Sequence, residues 1–91
     1  MKTLADLKRH IKAGTELTLI ESTKPHKYLN VRRVITRAQS NSYAMKPVED
    51  QSAAECWGDY HKAAQYKFYA EHPNRFTVTP WEGNSMTYEI H

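Results

Sequence analysis

The spacing of apolar residues changes once, at Gly14, and this change most limits the folds open to the chain. Before it, Leu4, Leu7 and Ile11 recur at the spacing of one helix face. After it, apolar and polar residues alternate in short segments separated by residues typical of turns. The pattern predicts one helix over about residues 3–13, with Gly14 as the left-handed residue that ends it, and strands thereafter.

Short alternating segments fill the rest of the chain. They predict strands over about residues 15–21, 28–38, 42–46, 55–58, 65–70, 75–79 and 86–90. Such spacing is typical of a strongly curved antiparallel sheet or a small β-barrel. The predicted fold class is therefore α+β, with one N-terminal helix and about five to seven short strands in such a sheet or barrel. A chain of 91 residues has room for one core, so a single domain over 1–91 is expected.

Two segments leave alternatives open. Residues 49–64 contain enough alanine and aromatic residues for a helix, but Gly58 in their middle favours strand, turn and strand. In the second predicted strand, Leu29 and Val31 share a parity that Val34 does not. A β-bulge near residues 32–33 would bring Val34 back to the inner face.

Charge is segregated along the chain. Residues 22–48, the basic window, contain six cations and no carboxylate, whereas residues 49–91 contain three bases and seven acids. The net charge of +3 therefore conceals two halves of opposite sign, an arrangement that bears on recognition more than on folding. The six cations of the basic window form either a merely solvated face or a docking surface for a polyanion.

The docking interpretation places the basic window on a hairpin whose arginines contact phosphate or carboxylate groups and whose tyrosines stack. Trp81, in a turn-like segment, is predicted as an interface anchor. The candidate binding residues are Lys24, Lys27, Tyr28, Arg32, Arg33, Arg37, Tyr43, Lys46 and Trp81.

Motifs of catalysis and of cofactor or metal binding are not recognisable. Cys56 is the one cysteine, which excludes an intramolecular disulfide and suggests an inert thiol. The five histidines lack the spacing of metal ligands, and the three glycines are too scattered for a phosphate loop. We therefore expect a non-enzymatic protein with no metal and no cofactor.

Several segments together resemble a group of small, mostly uncharacterised phage and prophage proteins. The resemblance covers about residues 1–70 and is carried by residues 1–9, 14–19, 26–31 and 39–41, by Trp57 and by residues 60–63. It implies a mobile-element origin and a small helix-plus-sheet fold. By analogy with other accessory phage proteins, it also implies binding to host defence machinery, CRISPR effectors included.

The leading functional expectation is a phage-type accessory protein that occludes a host protein or ribonucleoprotein complex through the basic hairpin. The alternative is a small-barrel protein that binds DNA or RNA directly in phage gene regulation or genome handling, although the acidic second half disfavours a duplex. A homodimer held by the opposed charges is a third possibility. No apolar run approaches the roughly 20 residues of a membrane span, so a cytoplasmic location in the host cell and no membrane partner are expected.

Overall fold

The computed structural model describes residues 1–91 and contains one helix and one seven-stranded antiparallel sheet. The elements are α1 (Leu4–His10), β1 (Glu16–Ser22), β2 (Arg32–Ala38), β3 (Ser42–Pro47), β4 (Cys56–Asp59), β5 (Tyr66–Phe68), β6 (Arg75–Trp81) and β7 (Asn84–Ile90), with a 3-10 turn at Ala63–Gln65. The strand order is β4-β3-β2-β1-β7-β6-β5, and the sheet is open rather than closed into a barrel. The predicted α+β class, a helix followed by a curved antiparallel sheet, is confirmed.

The helix α1 begins as predicted but ends three residues early. The hydroxyl of Thr3 accepts a hydrogen bond from the backbone N–H of Asp6 at 3.1 Å, which satisfies one of the free donors of the first turn. The extended conformation of Ile11 ends the helix, so Gly14 is not its C′ residue. Gly14 instead has φ 94° in the turn before β1, where its N–H donates to the carbonyl of Ile35 at 2.8 Å. No helix in the molecule is long and apolar enough to cross a membrane.

One apolar core lies between α1 and the face of the sheet that we call the inner face. Because side chains alternate along a strand, residues opposite each other in neighbouring strands share a face. Leu17 of β1, for example, lies between Arg33 of β2 and Ile90 of β7. The buried cluster consists of Leu7, Ile11, Leu17, Leu19, Ile35, Met45, Phe76, Val78, Tyr88 and Ile90.

The strand β2 differs from its prediction in its start and in its inward residues. It begins at Arg32 rather than at residue 28, because the preceding residues form a turn in which Asn30 has φ 62°. No bulge occurs at Arg32 and Arg33, and the irregularity lies instead between Ile35 and Arg37, in the pairing with β3. The inward residues of β2 are therefore Arg33 and Ile35, both buried.

Residues 49–64 contain a strand and a turn, and no helix. The strand β4 forms one edge of the sheet, and its Gly58 lies opposite Tyr43 of β3. A Cβ atom at Gly58 would lie 3.1 Å from the Tyr43 ring, closer than ordinary van der Waals contact. The glycine that argued against a helix thus lies where an added side chain would press on a neighbouring ring.

Candidate anion-binding site

The structure disperses the cations of the basic window. The Nε atom of Arg32 lies 2.5 Å from a carboxylate oxygen of Glu16, and that of Arg37 lies 3.2 Å from one of Glu55. All four are on the outer face or its rim, where ion pairs are largely exposed to water. Two of the six predicted docking cations are thus already paired within the molecule.

The lysines of the basic window do not form a common positive patch with these arginines. Lys46 donates to the backbone carbonyl of Gln51 at 3.1 Å. The ammonium group of Lys27 lies 5.0 Å from the centroid of the Tyr28 ring, and Lys24 is exposed in the same loop, residues 23–31.

The predicted aromatic anchors also separate. Tyr43 packs against the core and against Tyr60, with ring centroids 5.2 Å apart, so its ring is not a free stacking surface. Trp81 is 61% exposed at the end of β6. Sequence reasoning grouped these residues by type, whereas the fold packs Tyr43 on the core and leaves Trp81 exposed.

Arg33 is buried on the inner face, contrary to its predicted role as a surface contact. It is 1% exposed, and its guanidinium carbon lies 4.5 Å from the centroid of the Tyr28 ring. No carboxylate lies within the 4.0 Å of an ion pair, and the Nε atom has no hydrogen-bond partner. A buried guanidinium without a counter-charge is costly, because desolvation of an ion is not repaid.

A cavity of about 180 Å³ adjoins this guanidinium and is lined by tyrosine side chains. The Tyr43 hydroxyl makes no hydrogen bond within the protein. The Tyr66 hydroxyl accepts the backbone N–H of His61 at 3.0 Å, which leaves its own hydrogen free to donate. Tyr88 lines the same cavity, with its hydroxyl 3.9 Å from the sulfur of Met86.

The titratable groups around the cavity are held in their donor forms. Burial raises the pKa of the Tyr43 and Tyr88 hydroxyls, although the charge of Arg33 acts in the opposite direction on both. Burial, and then the charge of Arg33, lower the pKa of His26. The Nδ1 atom of His26 accepts the backbone N–H of Tyr28 at 3.1 Å, so the neutral ring carries its hydrogen on Nε2.

These groups supply the cavity with several donors, and the exposed Asp59 is the one carboxylate among its lining residues. One fixed positive charge and several hydroxyl donors face a space large enough for a small ligand, an arrangement that favours an anion. A metal cation is disfavoured there by the guanidinium, and no group of three or more His, Cys, Asp or Glu side chains in the molecule could hold one. Cys56 lines the cavity as a free thiol.

Sequence reasoning missed His26, Tyr66 and Tyr88 as members of the site. No motif or spacing in the sequence marks these three residues. The convergence of residues 26, 66 and 88 requires the fold, because they lie on a loop and on strands far apart in the chain.

Comparison with protein-family models, with curated proteins and with solved structures finds no match for this chain. The resemblance to phage proteins therefore stays a prediction, and the function has to be argued from the site.

Proposed function

We propose that this protein is a non-enzymatic binding domain that takes an anionic group into the cavity around Arg33. The observation that carries the proposal is a guanidinium that is 1% exposed, has no carboxylate within ion-pair distance and lines a cavity. His26 supports binding rather than base catalysis, because its Nδ1 lone pair is already engaged by the backbone of Tyr28.

The energetic basis is the missing counter-charge. Burying an ion costs several kcal/mol, and a bound anion offsets that cost through a charge-assisted hydrogen bond of about 1.5–3 kcal/mol. A ligand that binds only the folded state raises stability in proportion to the logarithm of its concentration above Kd. Anions should therefore stabilise this protein through Arg33.

Thermal unfolding with added anions tests the proposal. At constant ionic strength, at least one of acetate, phosphate and sulfate should raise the Tm of the wild type in a saturable way. Arg33→Met removes the charge while keeping an unbranched apolar side chain, so it should abolish this response. Without anions it should unfold at the same Tm or higher, since an uncompensated buried charge is gone.

Arg32→Met is the matched control. It removes the neighbouring arginine, which is exposed and paired with Glu16, and should leave the anion response intact. Equal responses in the wild type and in Arg33→Met, or no response to any anion, would contradict the proposal.

A second candidate function is docking of an acidic macromolecular surface on the outer face of β2, β3 and β4. Trp57 is 47% exposed there, and the strand register aligns it with Ala44 and Arg37. An exposed tryptophan beside a partly exposed arginine is typical of interface anchors. This geometry supports occlusion of a host protein or ribonucleoprotein complex, with direct nucleic-acid binding as the alternative.

The charge-reversal test for this surface uses Arg37→Glu with Lys46→Glu. Arg33→Glu is unsuitable because it would place a carboxylate in the core. Binding to mixed-sequence duplex and single-stranded DNA is measured at about 50 and 200 mM salt, a range over which phosphate-driven affinity falls by orders of magnitude. Micromolar binding that weakens steeply with salt and is lost in the double variant supports direct nucleic-acid binding. No binding at low salt excludes nucleic acid as the partner.

A further inference from the structure

We infer that the anion held by Arg33 is a carboxylate monoanion that carries a small apolar group. This inference rests on the proposed function and specifies its ligand. Three features of the cavity support it: the charges of its lining residues, the N–H donors that the Arg33 guanidinium has left for a ligand, and the apolar side chains of the other walls.

The charges of the cavity match a single negative charge. Arg33 is the one permanent cation among the lining residues, and the lowered pKa of His26 keeps its ring neutral at pH 7. Asp59 also lines the cavity and is an exposed residue, so water and salt screen its carboxylate, which still disfavours a ligand with a second negative charge. Phosphate, with a charge of about −1.5 to −2 near neutral pH, would leave charge uncompensated.

The guanidinium has N–H donors left for a ligand. Its central carbon lies 4.5 Å from the centroid of the Tyr28 ring, no residue of the protein bonds to its Nε atom, and part of the group interacts with the Tyr88 hydroxyl. The remaining N–H donors lie in one plane, and two parallel donors of this kind match the two oxygens of a carboxylate. The free hydroxyls of Tyr43 and Tyr66 supply further donors.

The other walls are apolar and adaptable. Met45, Val78 and Met86 line the same cavity, and methionine side chains adjust to irregular shapes. Its volume of about 180 Å³ corresponds to about six water molecules at roughly 30 Å³ each. A carboxylate with a short hydrocarbon chain fills this space, whereas a bare inorganic ion leaves the apolar walls without contact.

A free short-chain acid and the carboxylate of a peptide share this chemistry. The strand β4 supplies residues 56–59 of the cavity wall and has a free edge, to which an extended peptide can add as a strand. The experiment below separates the two sources.

Isothermal titration calorimetry with the full chain tests this inference. The ligands are butyrate, its neutral isostere butyramide, formate, phosphate, and a short acetylated peptide with either a free or an amidated C-terminus. We expect saturable binding of butyrate, with each methylene beyond formate tightening it by roughly fourfold. Butyramide should not bind, and phosphate should bind at least about tenfold more weakly than butyrate. If the peptide with a free C-terminal carboxylate binds more tightly than butyrate, the natural ligand is a peptide. If butyrate binds more tightly, the natural ligand is a free short-chain acid.

Variants of Arg33 locate the site. Arg33→Met should weaken butyrate binding by roughly 10- to 100-fold, and Arg32→Met should leave it unchanged. Arg33→Lys keeps the charge without the planar fork and should lose the preference for butyrate over phosphate.

The outcomes separate this inference from the proposed function. Phosphate binding as tight as butyrate, and dependent on Arg33, overturns the carboxylate inference and leaves the anion-binding function standing. Butyrate binding that persists in Arg33→Met overturns the site. No binding of any anion overturns both.

Discussion

At the scale of single residues, burial and the charge of Arg33 together set the state of the neighbouring side chains. Burial, and then the charge of Arg33, lower the pKa of His26, and the guanidinium carbon lies 4.5 Å from the centroid of the Tyr28 ring. The backbone N–H of Tyr28 donates to that same imidazole. The loop before β2 is therefore linked to the buried charge by an aromatic ring and by a histidine that folds in its neutral form.

His26 should make stability depend on pH. Its pKa in the folded protein lies below the 6.5 of the unfolded chain, so the unfolded state binds more protons between the two values. Its contribution is fully present above about pH 6.5 and is lost as pH falls through the folded-state pKa. In urea unfolding from pH 8 to pH 5, His26→Asn, whose oxygen can replace Nδ1, should lose less stability than the wild type.

The exposed His72 provides the control, since His72→Asn should follow the wild-type profile. A bound anion favours the imidazolium, so anion affinity should rise over the same decrease in pH. Identical pH profiles for the wild type and His26→Asn would contradict this account.

The sequence indicated which residue types matter at this site, but not where they lie. Tyr28, Arg33 and Tyr43 were predicted as a binding group, and all three lie at or beside the cavity rather than on an open surface. Patterns of charge place arginine outside by default, because burial of an unpaired ion is costly. The bulge predicted near residues 32–33, which would have turned Val34 inward, does not occur there, and Arg33 and Ile35 point inward instead.

At the scale of elements, β4 illustrates how an edge strand shapes the site. Its Gly58 leaves room for the Tyr43 ring, which in turn packs on Tyr60 and lines the cavity. For β4, Gly58 favoured a strand over a helix in residues 49–64, and the alternation of apolar and polar residues predicted the other six strands. It could not give the start of β2, because that depends on the left-handed conformation of Asn30.

Gly58→Ala should destabilise the protein by about 1–3 kcal/mol, since the new methyl group meets the Tyr43 ring, which already packs on Tyr60 and the core. Gly83, with φ 81° and no atom within 4 Å of an added Cβ, is the contrasting position. Gly83→Asn should cost little, because asparagine tolerates that conformation.

Chemical denaturation measures both variants. In a double-mutant cycle, Gly58→Ala should cost less in the Tyr43→Leu background than in the wild type, since the smaller side chain leaves room for the new methyl group. A Gly58→Ala protein as stable as the wild type would show that the ring shifts freely.

At the scale of the whole molecule, the two oppositely charged halves are joined in the middle of the sheet. The first strand pairs with the last, Leu17 opposite Ile90, and an ion pair links Arg37 of the basic window to Glu55 of the acidic half. Opposed charges thus partly neutralise each other within the fold. The sequence showed the segregation of charge, but the pairing that reduces its effect is a property of the topology.

We expect the chain to unfold in one cooperative transition, because a single core draws on α1 and on strands from both halves. Trp57 and Trp81 report on β4 and on the end of β6. In Trp81→Phe and Trp57→Phe, the remaining tryptophan fluorescence should give the same denaturant midpoint as far-UV circular dichroism within each protein. Separate midpoints would indicate that the β4 side opens independently of the β6–β7 hairpin.

Arg32 and Arg33, which lie on opposite faces of β2, should also be under different evolutionary constraints. At position 32 the side chain meets water and one carboxylate, so lysine, glutamine or methionine would be tolerated during neutral drift. At position 33 the planar donor group is enclosed by aromatic rings, and selection for a ligand would retain arginine alone. If homologues diverge, substitutions should accumulate at the first of these two codons and spare the second.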